Sequence, residues 1–327
     1  MSLRGLPPSE IFERAIGGER RALGRLITLV ERDASEAEEI AELAHVKAGN
    51  AHVIGITGPP GSGKSTLTGQ IVKLLGELGK RAAVLAVDPS SPLTGGAILG
   101  DRVRMEDVAS PETFIRSMAT RGHQGGLSLA VPGVVRLLDA AGYDPVLIET
   151  VGVGQVEVDI AGTADTTVVV ATPGMGDAVQ ANKAGLLELA DLFVVNKADR
   201  PGANDVRRDL DLMLDLSHVS GQDQRTGMRP EIIMTTALSG EGAPETWSAI
   251  ERHRDAIAEN GQLDQRRANR DLDEVRNRLL ADVERRIDRM LAGESVGGVS
   301  DVLDRVTRRS LAPATAAREL ALKVSEI

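Results

Sequence analysis

The 327-residue chain predicts an α/β fold: a mostly parallel sheet with helices on both faces, a helical extension ahead of it and a helical arm behind it. Three observations carry this reading. Short β-branched apolar runs recur through the middle of the chain, helix-length segments separate them, and helix-period patterns fill both ends. The central runs are apolar at almost every position, which suits strands buried on both faces.

Residues 1–50 read as helices: Ser9 precedes EIFERAI, ERRALGRLITLVER follows, and Ser35 precedes EAEEIAELAHVK, which stops at Gly49. The region 51–261 then supplies the strand candidates HVIGIT, AAVLAV, VLIETV, TVVVAT, LFVVN and EIIMTT. Helical segments are expected at 65–78, 131–141, 178–189 and 204–216. In such a sheet, ligands bind at the carboxyl ends of the strands. The region 262–327 opens with a charged helix in which Leu272, Val275, Leu279, Val283, Ile287 and Met290 recur every three or four residues, a stripe that must bury against something. A GESVGGVS break and two shorter helices on either side of Pro313 complete the chain.

Composition removes several classes of function. The chain has no cysteine, so disulfides, thiolate metal sites and thiol nucleophiles are excluded. A net charge of -10 and 2% aromatic residues oppose nucleic-acid binding. No apolar run reaches the ~18 residues of a membrane span, and the N-terminus lacks a signal-peptide pattern, so a cytoplasmic protein that does not enter membranes is expected.

The phosphate motif follows the first strand candidate. Gly58-Pro59-Pro60-Gly61-Ser62-Gly63-Lys64-Ser65, then Thr66, is a complete GxxxxGK[ST] leading into a helical pattern. Its glycines let backbone N–H groups turn inward around a phosphate, and the helix N-terminus adds its positive end. Lys64 is expected to bridge the β and γ phosphates, with Ser65 on Mg²⁺. The fold is thereby read as a P-loop nucleotide hydrolase.

A base motif, Asn196-Lys197-Ala198-Asp199, directly follows LFVV. A carboxylate can accept from guanine N1–H and the 2-amino group together, whereas adenine offers an acceptor at N1, so Asp199 selects GTP and GDP over ATP. Asn196 is expected at N7, the Lys197 stem along the base, and Thr235-Thr236-Ala237 as backbone donors to O6. Two of only seven lysines fall in these two motifs.

Switch and metal residues are read from acidic strand ends. Glu149-Thr150-Val151-Gly152 resembles the DxxG switch with Glu in place of Asp. Glu149 would face Mg²⁺ and the Gly152 N–H the γ-phosphate. Asp88 and Asp101 bracket a Gly-rich loop and are further metal candidates; each also has an ordinary reading, as a turn cap and a helix start. Gln155 is three residues past Gly152 rather than adjacent to it, which argues against a water-orienting role. Asp177 and Lys183 stand at the start of another helix near the phosphates as catalytic candidates, one to orient water and the other to neutralise charge. A capped helix with a solvated lysine explains them equally well.

Together GITGPPGSGKST, VDPSS, GDRVRM, FIRSMATRG, ETVGVGQVE, TPGMGDAVQANKAGLLELADLFVVNKAD and the TTA loop resemble the MeaB/ArgK/MMAA family of metallochaperone-class P-loop GTPases over residues 10–325. The resemblance implies a homodimeric GTPase, slow without its partner. It would gate adenosylcobalamin delivery to, and protect, a cobalamin-dependent acyl-CoA mutase such as methylmalonyl-CoA mutase, with a cobalamin adenosyltransferase as a second candidate partner. It further implies a C-terminal dimerisation arm and a third switch at 174–185. The five histidines are isolated and no DxHxxG signature occurs, so cobalamin is expected on the partner. Three alternatives remain: an ATPase or kinase tied to amino-acid transport, which Asp199 opposes; a nickel-insertion GTPase, whose clustered Cys or His ligands are missing; and a non-enzymatic scaffold whose nucleotide site only gates partner binding, which multiple turnover would exclude.

Overall fold

The computed structural model describes residues 3–88, 110–119, 129–150, 155–174, 188–220, 228–292 and 298–324. They fall into two compact units that divide between Ala268 and Asn269.

In the first unit, seven strands form one sheet in the order β3-β2-β4-β1-β5-β6-β7. They are β1 (Val53–Thr57), β2 (Ala83–Asp88), β3 (Phe114–Ala119), β4 (Val146–Thr150), β5 (Thr166–Ala171), β6 (Leu192–Asn196) and β7 (Glu231–Thr235). Every pairing is parallel. Six strands match the apolar runs in the sequence, and β3 is the one that run-reading misses. It is an edge strand, and Arg116 and Ser117 interrupt its apolar character.

The helices of this unit are α1 (Pro8–Ile16), α2 (Arg20–Glu31), α3 (Ala37–Lys47), α4 (Lys64–Glu77), α5 (Ala130–Ala140), α6 (Gln155–Thr163), α7 (Ala203–Ser220) and α8 (Ala243–Glu259). Ser9 does not cap α1, whose first residue is Pro8, a position where the ring's missing N–H costs nothing.

Side chains alternate across the sheet, as the two-residue strand period requires. Val53, Leu85, Val87, Val146 and Ile148 enter one core with α1, α2, α3 and α5; Ile54, Ile56, Val84, Leu147, Val168 and Val170 enter another with α4 and α8. The N-terminal helices therefore cover one face of the sheet and share its core.

The amino ends of the strands are sealed by a buried polar layer. Asp191 accepts both terminal nitrogens of Arg266 at 2.7 and 2.9 Å and the Thr167 N–H at 2.8 Å. Asp165 accepts the Val53 N–H at 2.9 Å and pairs with Arg267 at 3.3 Å. The Thr166 hydroxyl lies 2.8 Å from both His52 Nε2 and His253 Nδ1. Burial alone would raise the Asp191 carboxyl; hydrogen bonds from Arg266 and His253 outweigh it and hold the group below the ordinary carboxylate range.

Helix α9 (Gln262–Leu291) begins in the first unit and ends in the second, which also holds α10 (Val299–Thr307) and α11 (Pro313–Val324). Met290, Val299, Val302, Ala316 and Leu320 form the small core of the second unit. The upstream part of the α9 stripe stands open: Leu272, Val275, Leu279 and Val283 are 42–67% exposed. Among the described residues no helix is long and apolar enough to cross a membrane.

Candidate functional site

The carboxyl ends of β1, β6 and β7 meet at a cleft of about 470 Å³. Pro60, Gly61, Gly63, Lys64, Ser65 and Thr66 line one part of it; Asn196, Lys197 and Asp199 line another, with Thr236 and Ala237 beside them. Motifs separated by more than 130 residues are thus brought to one place because their strands are near neighbours in a parallel sheet.

The loop between β1 and α4 has the backbone form a phosphate cradle needs. Gly58 has φ +135, and a Cβ there would stand 2.3 Å from the Val170 carbonyl oxygen. Gly63 has φ +90, and its Cβ would meet the Asn196 amide nitrogen at 2.2 Å. Both conditions exclude larger residues. The N–H groups of Gly61, Gly63, Ser65 and Thr66 donate to none of the described residues, which leaves four donors at the positive N-terminal end of α4. Lys64 is buried, and its Nζ donates to the carbonyls of Gly58 at 2.7 Å and Pro59 at 3.1 Å, which arches the side chain back over the loop.

Asn196 is a junction of three segments. Its Nδ2 donates to the Ser62 carbonyl at 2.8 Å, while Oδ1 accepts from Thr235 Oγ1 at 3.2 Å and the Ala237 N–H at 3.0 Å. The register of β6 and β7 sets this up by pairing Asn196 with Thr235. Lys197, in the left-handed region at φ 59, sends Nζ to the Gly61 carbonyl at 2.7 Å. The base motif is therefore tied twice to the phosphate loop.

Beside the base motif, two more polar groups are bonded to none of the described residues. The exposed Asp199 carboxylate is bonded to none of the described residues. In the loop after β7, the Thr236 N–H donates to Glu241 and the Ala237 N–H to Asn196, whereas the Leu238 N–H donates to none of the described residues. Sequence reasoning did not single out Leu238 or Arg200, both of which line the cleft. An apolar residue directly after TTA, within an otherwise polar loop, was the available signal for Leu238.

Glu149 lies beside Ser65 of the phosphate motif. It is 1% exposed near the end of β4, and Ser65 Oγ donates to its Oε1. A hydroxyl and a carboxylate at the mouth of a phosphate loop are oxygen donors suited to Mg²⁺. Asp88 closes β2, but its side chain lies outside the described residues, as do Asp101, Gly152, Asp177, Lys183 and the side chain of Gln155.

Comparison with known proteins agrees with this geometry. The family model described as "Methylmalonyl Co-A mutase-associated GTPase MeaB" matches residues 23–292. A candidate GTPase of Pyrococcus horikoshii is 46% identical over 312 residues, covering 95% of this chain and 96% of that one. A fused isobutyryl-CoA mutase of Cupriavidus metallidurans is 40% identical over 203 residues, 61% of this chain and 19% of that protein. The crystal structure of a LAO/AO transport system kinase matches with a TM-score of 0.72 at 28% identity, covering 99% of this chain and 100% of that one. A cleft lined by a GxxxxGK[ST] loop on a seven-stranded parallel sheet and a family match across most of its length lead to one conclusion: the chain belongs to the MeaB family of methylmalonyl-CoA mutase-associated GTPases and is a P-loop GTPase.

Proposed function

We propose that this GTPase is the nucleotide-driven chaperone of a cobalamin-dependent acyl-CoA mutase, with methylmalonyl-CoA mutase as the first candidate, gating delivery of adenosylcobalamin and protecting the mutase. Family membership supports the mutase link, as does a relative in which a homologous segment is fused to isobutyryl-CoA mutase. The same reading makes the protein cytoplasmic, with 1–50 as an N-terminal extension, 51–261 as the G domain and 262–327 as a dimerisation arm. The four exposed apolar residues of the α9 stripe, Leu272, Val275, Leu279 and Val283, support the homodimer. A cobalamin adenosyltransferase is the second candidate partner.

The observation that carries the nucleotide chemistry is the pair of open groups in the cleft. The Asp199 carboxylate accepts from guanine N1–H and N2–H, and the Leu238 N–H donates to O6. Adenine would oppose both, setting its 6-amino group against a donor and its N1 against a carboxylate. Asn196, with its amide already bonded on both sides, acts chiefly by holding the base and phosphate loops in register. The amides of Gly61, Gly63, Ser65 and Thr66 receive the phosphates, and Lys64 neutralises charge as the bond between the γ-phosphorus and the β–γ bridging oxygen breaks. Ser65 and Glu149 would hold Mg²⁺, which when bound would supply neutralisation of phosphate charge. Asp88 and Asp101 are proposed to complete its sphere, Gly152 to sense the γ-phosphate, and Asp177 and Lys183 to orient water and offset charge once the partner docks.

The open Asp199 disfavours the transport-kinase alternative. The nickel-insertion alternative is disfavoured because His52 and His253 are already bound to Thr166 beneath the sheet. Affinity capture with GDP and with a non-hydrolysable GTP analogue tests the function: a cobalamin-dependent mutase should be retained in one nucleotide state, and its absence in every state would refute the chaperone reading. ATP turnover exceeding GTP turnover would refute the nucleotide assignment.

A further inference from the structure

The N-terminal helices hold a second cavity, of about 280 Å³, where the segment leading into α1 meets α2 and the turn ahead of α3. It shares no lining residue with the nucleotide cleft. Its wall is mostly apolar: Ile11 and Leu29 are buried members of the core shared with β2 and β4, and Leu3 and Leu6 pack against that core. Two charged residues interrupt the wall, Arg25 and Glu36. Arg25 lies one helical turn before Leu29, so the four-residue spacing sets both side chains on one stripe of α2. It is half-buried, its Nε is closed off from solvent with no hydrogen bond, and no ion pair to any described residue reaches the guanidinium. Taking such a group out of water without a partner is costly.

Glu36 accepts from Ser35 Oγ at 2.8 Å, and that bond first, with the charge of Arg25 helping, holds its carboxyl below the ordinary carboxylate range. Arg25 and Glu36 therefore feel one another through space yet form no ion pair. A ligand that completes this cavity brings an anion to Arg25, a cation to Glu36 and an aliphatic body to the wall. The planar guanidinium fork suits a carboxylate, which it can hold through two hydrogen bonds. Glu36 would repel a lone carboxylate, and Arg25 a lone amine. The volume lies just under the ~300–1,000 Å³ common for ligand sites, which restricts the occupant to a small molecule. We propose that this cavity binds a small zwitterion, an aliphatic α-amino acid, with its carboxylate on Arg25, its ammonium on Glu36 and its side chain against Ile11 and Leu29.

Calorimetry on the full chain compares L-leucine with 4-methylpentanoate, which lacks the ammonium, and 3-methylbutylamine, which lacks the carboxylate. The wild-type chain should bind L-leucine and hold each of the other two at least about tenfold more weakly, as the loss of one charge-assisted hydrogen bond predicts. Arg25→Met keeps the long stem and drops the charge, and should weaken L-leucine by about tenfold to a hundredfold; Glu36→Gln should weaken it by about tenfold. Both variants should bind GDP as the wild type does, which reports that they fold, and the three-ligand comparison on the wild type stands without them. No binding of L-leucine to the wild-type chain would overturn the site. So would undiminished L-leucine affinity in Arg25→Met or Glu36→Gln. Binding of 4-methylpentanoate or 3-methylbutylamine as tight as that of L-leucine would overturn the zwitterion assignment.

Discussion

Strand β6 starts beside one aspartate and ends near another, and the two have opposite surroundings. Asp191, just before Leu192, is buried and takes hydrogen bonds from Arg266 and the Thr167 N–H. Asp199, just past Asn196, is exposed and bonded to none of the described residues. The same contrast runs across the whole sheet. At the amino ends, carboxylates, histidines and arginines are joined to one another and to backbone; at the carboxyl ends, a carboxylate, the Leu238 N–H and four amides of the phosphate loop and the start of α4 are bonded to none of the described residues. A parallel sheet makes this possible because its two ends are chemically distinct, and one can be sealed while the other receives a ligand. Paired groups hold the structure, and open groups are available for chemistry.

The sharpest way to break this comparison is to make parallel changes at both ends. Arg266→Met strips Asp191 of its bidentate partner and leaves the buried carboxylate with only the Thr167 N–H and His253, so stability should fall by about 3 kcal/mol in a urea melt. Asp199→Asn should leave stability within about 0.5 kcal/mol, as an exposed substitution does. Its cost should appear in binding instead: GDP affinity falls by about 2–3 kcal/mol, up to roughly a hundredfold by calorimetry, with a gain for xanthosine diphosphate because the new amide can donate to its 2-carbonyl. A stability loss at Asp199, or a binding loss without destabilisation at Arg266, would erase the distinction.

Acid should act on the sealed end. Burial first, then the charge of Arg254, lowers the His52 pKa from 6.5 to about 3. The unfolded chain takes up this proton below 6.5 while the folded chain refuses it until about 3, so stability is whole above that window and falls as pH drops through it. The loss should reach about 2 kcal/mol near pH 5, at roughly 1.4 kcal/mol per unit, and His52→Gln should flatten the slope in melts across that range. Asp191, held low, adds its own loss only further down, below its ordinary 3.8. The smallest effect concerns the junction of the base and phosphate loops. Thr235→Val removes one bond to Asn196 Oδ1 and keeps the β-branched shape, and should weaken GDP binding by about 0.5–1 kcal/mol with little change in melting.

Much of this was legible in the residues themselves. The GxxxxGK[ST] loop and the NKAD run are recognisable locally, because backbone that must wrap a phosphate needs glycine and a base contact needs particular side chains. Six strands were visible as apolar runs; β3 was hidden because an edge strand can carry an arginine, here bonded to Thr28 and paired with Glu31 of α2. Leu238 was passed over because a single apolar residue in a loop has no periodicity to mark it. The role of Asn196 was only half legible: its type suits a base contact, but its bonds to Ser62, Thr235 and Ala237 span segments far apart in the chain.

By itself the sequence determined which groups are available: a glycine-rich loop after the first strand, an NKAD run with its acid, a chain without thiols, and an apolar stripe on α9. Those are properties of residue type and short spacing. The tertiary structure decided which of those groups are used up. Two aspartates on the same strand-end pattern look alike in one dimension; strand order and helix placement give one of them an arginine and leave the other to solvent. Pairing between residues scores of positions apart depends on the topology of the sheet, and no local pattern encodes it.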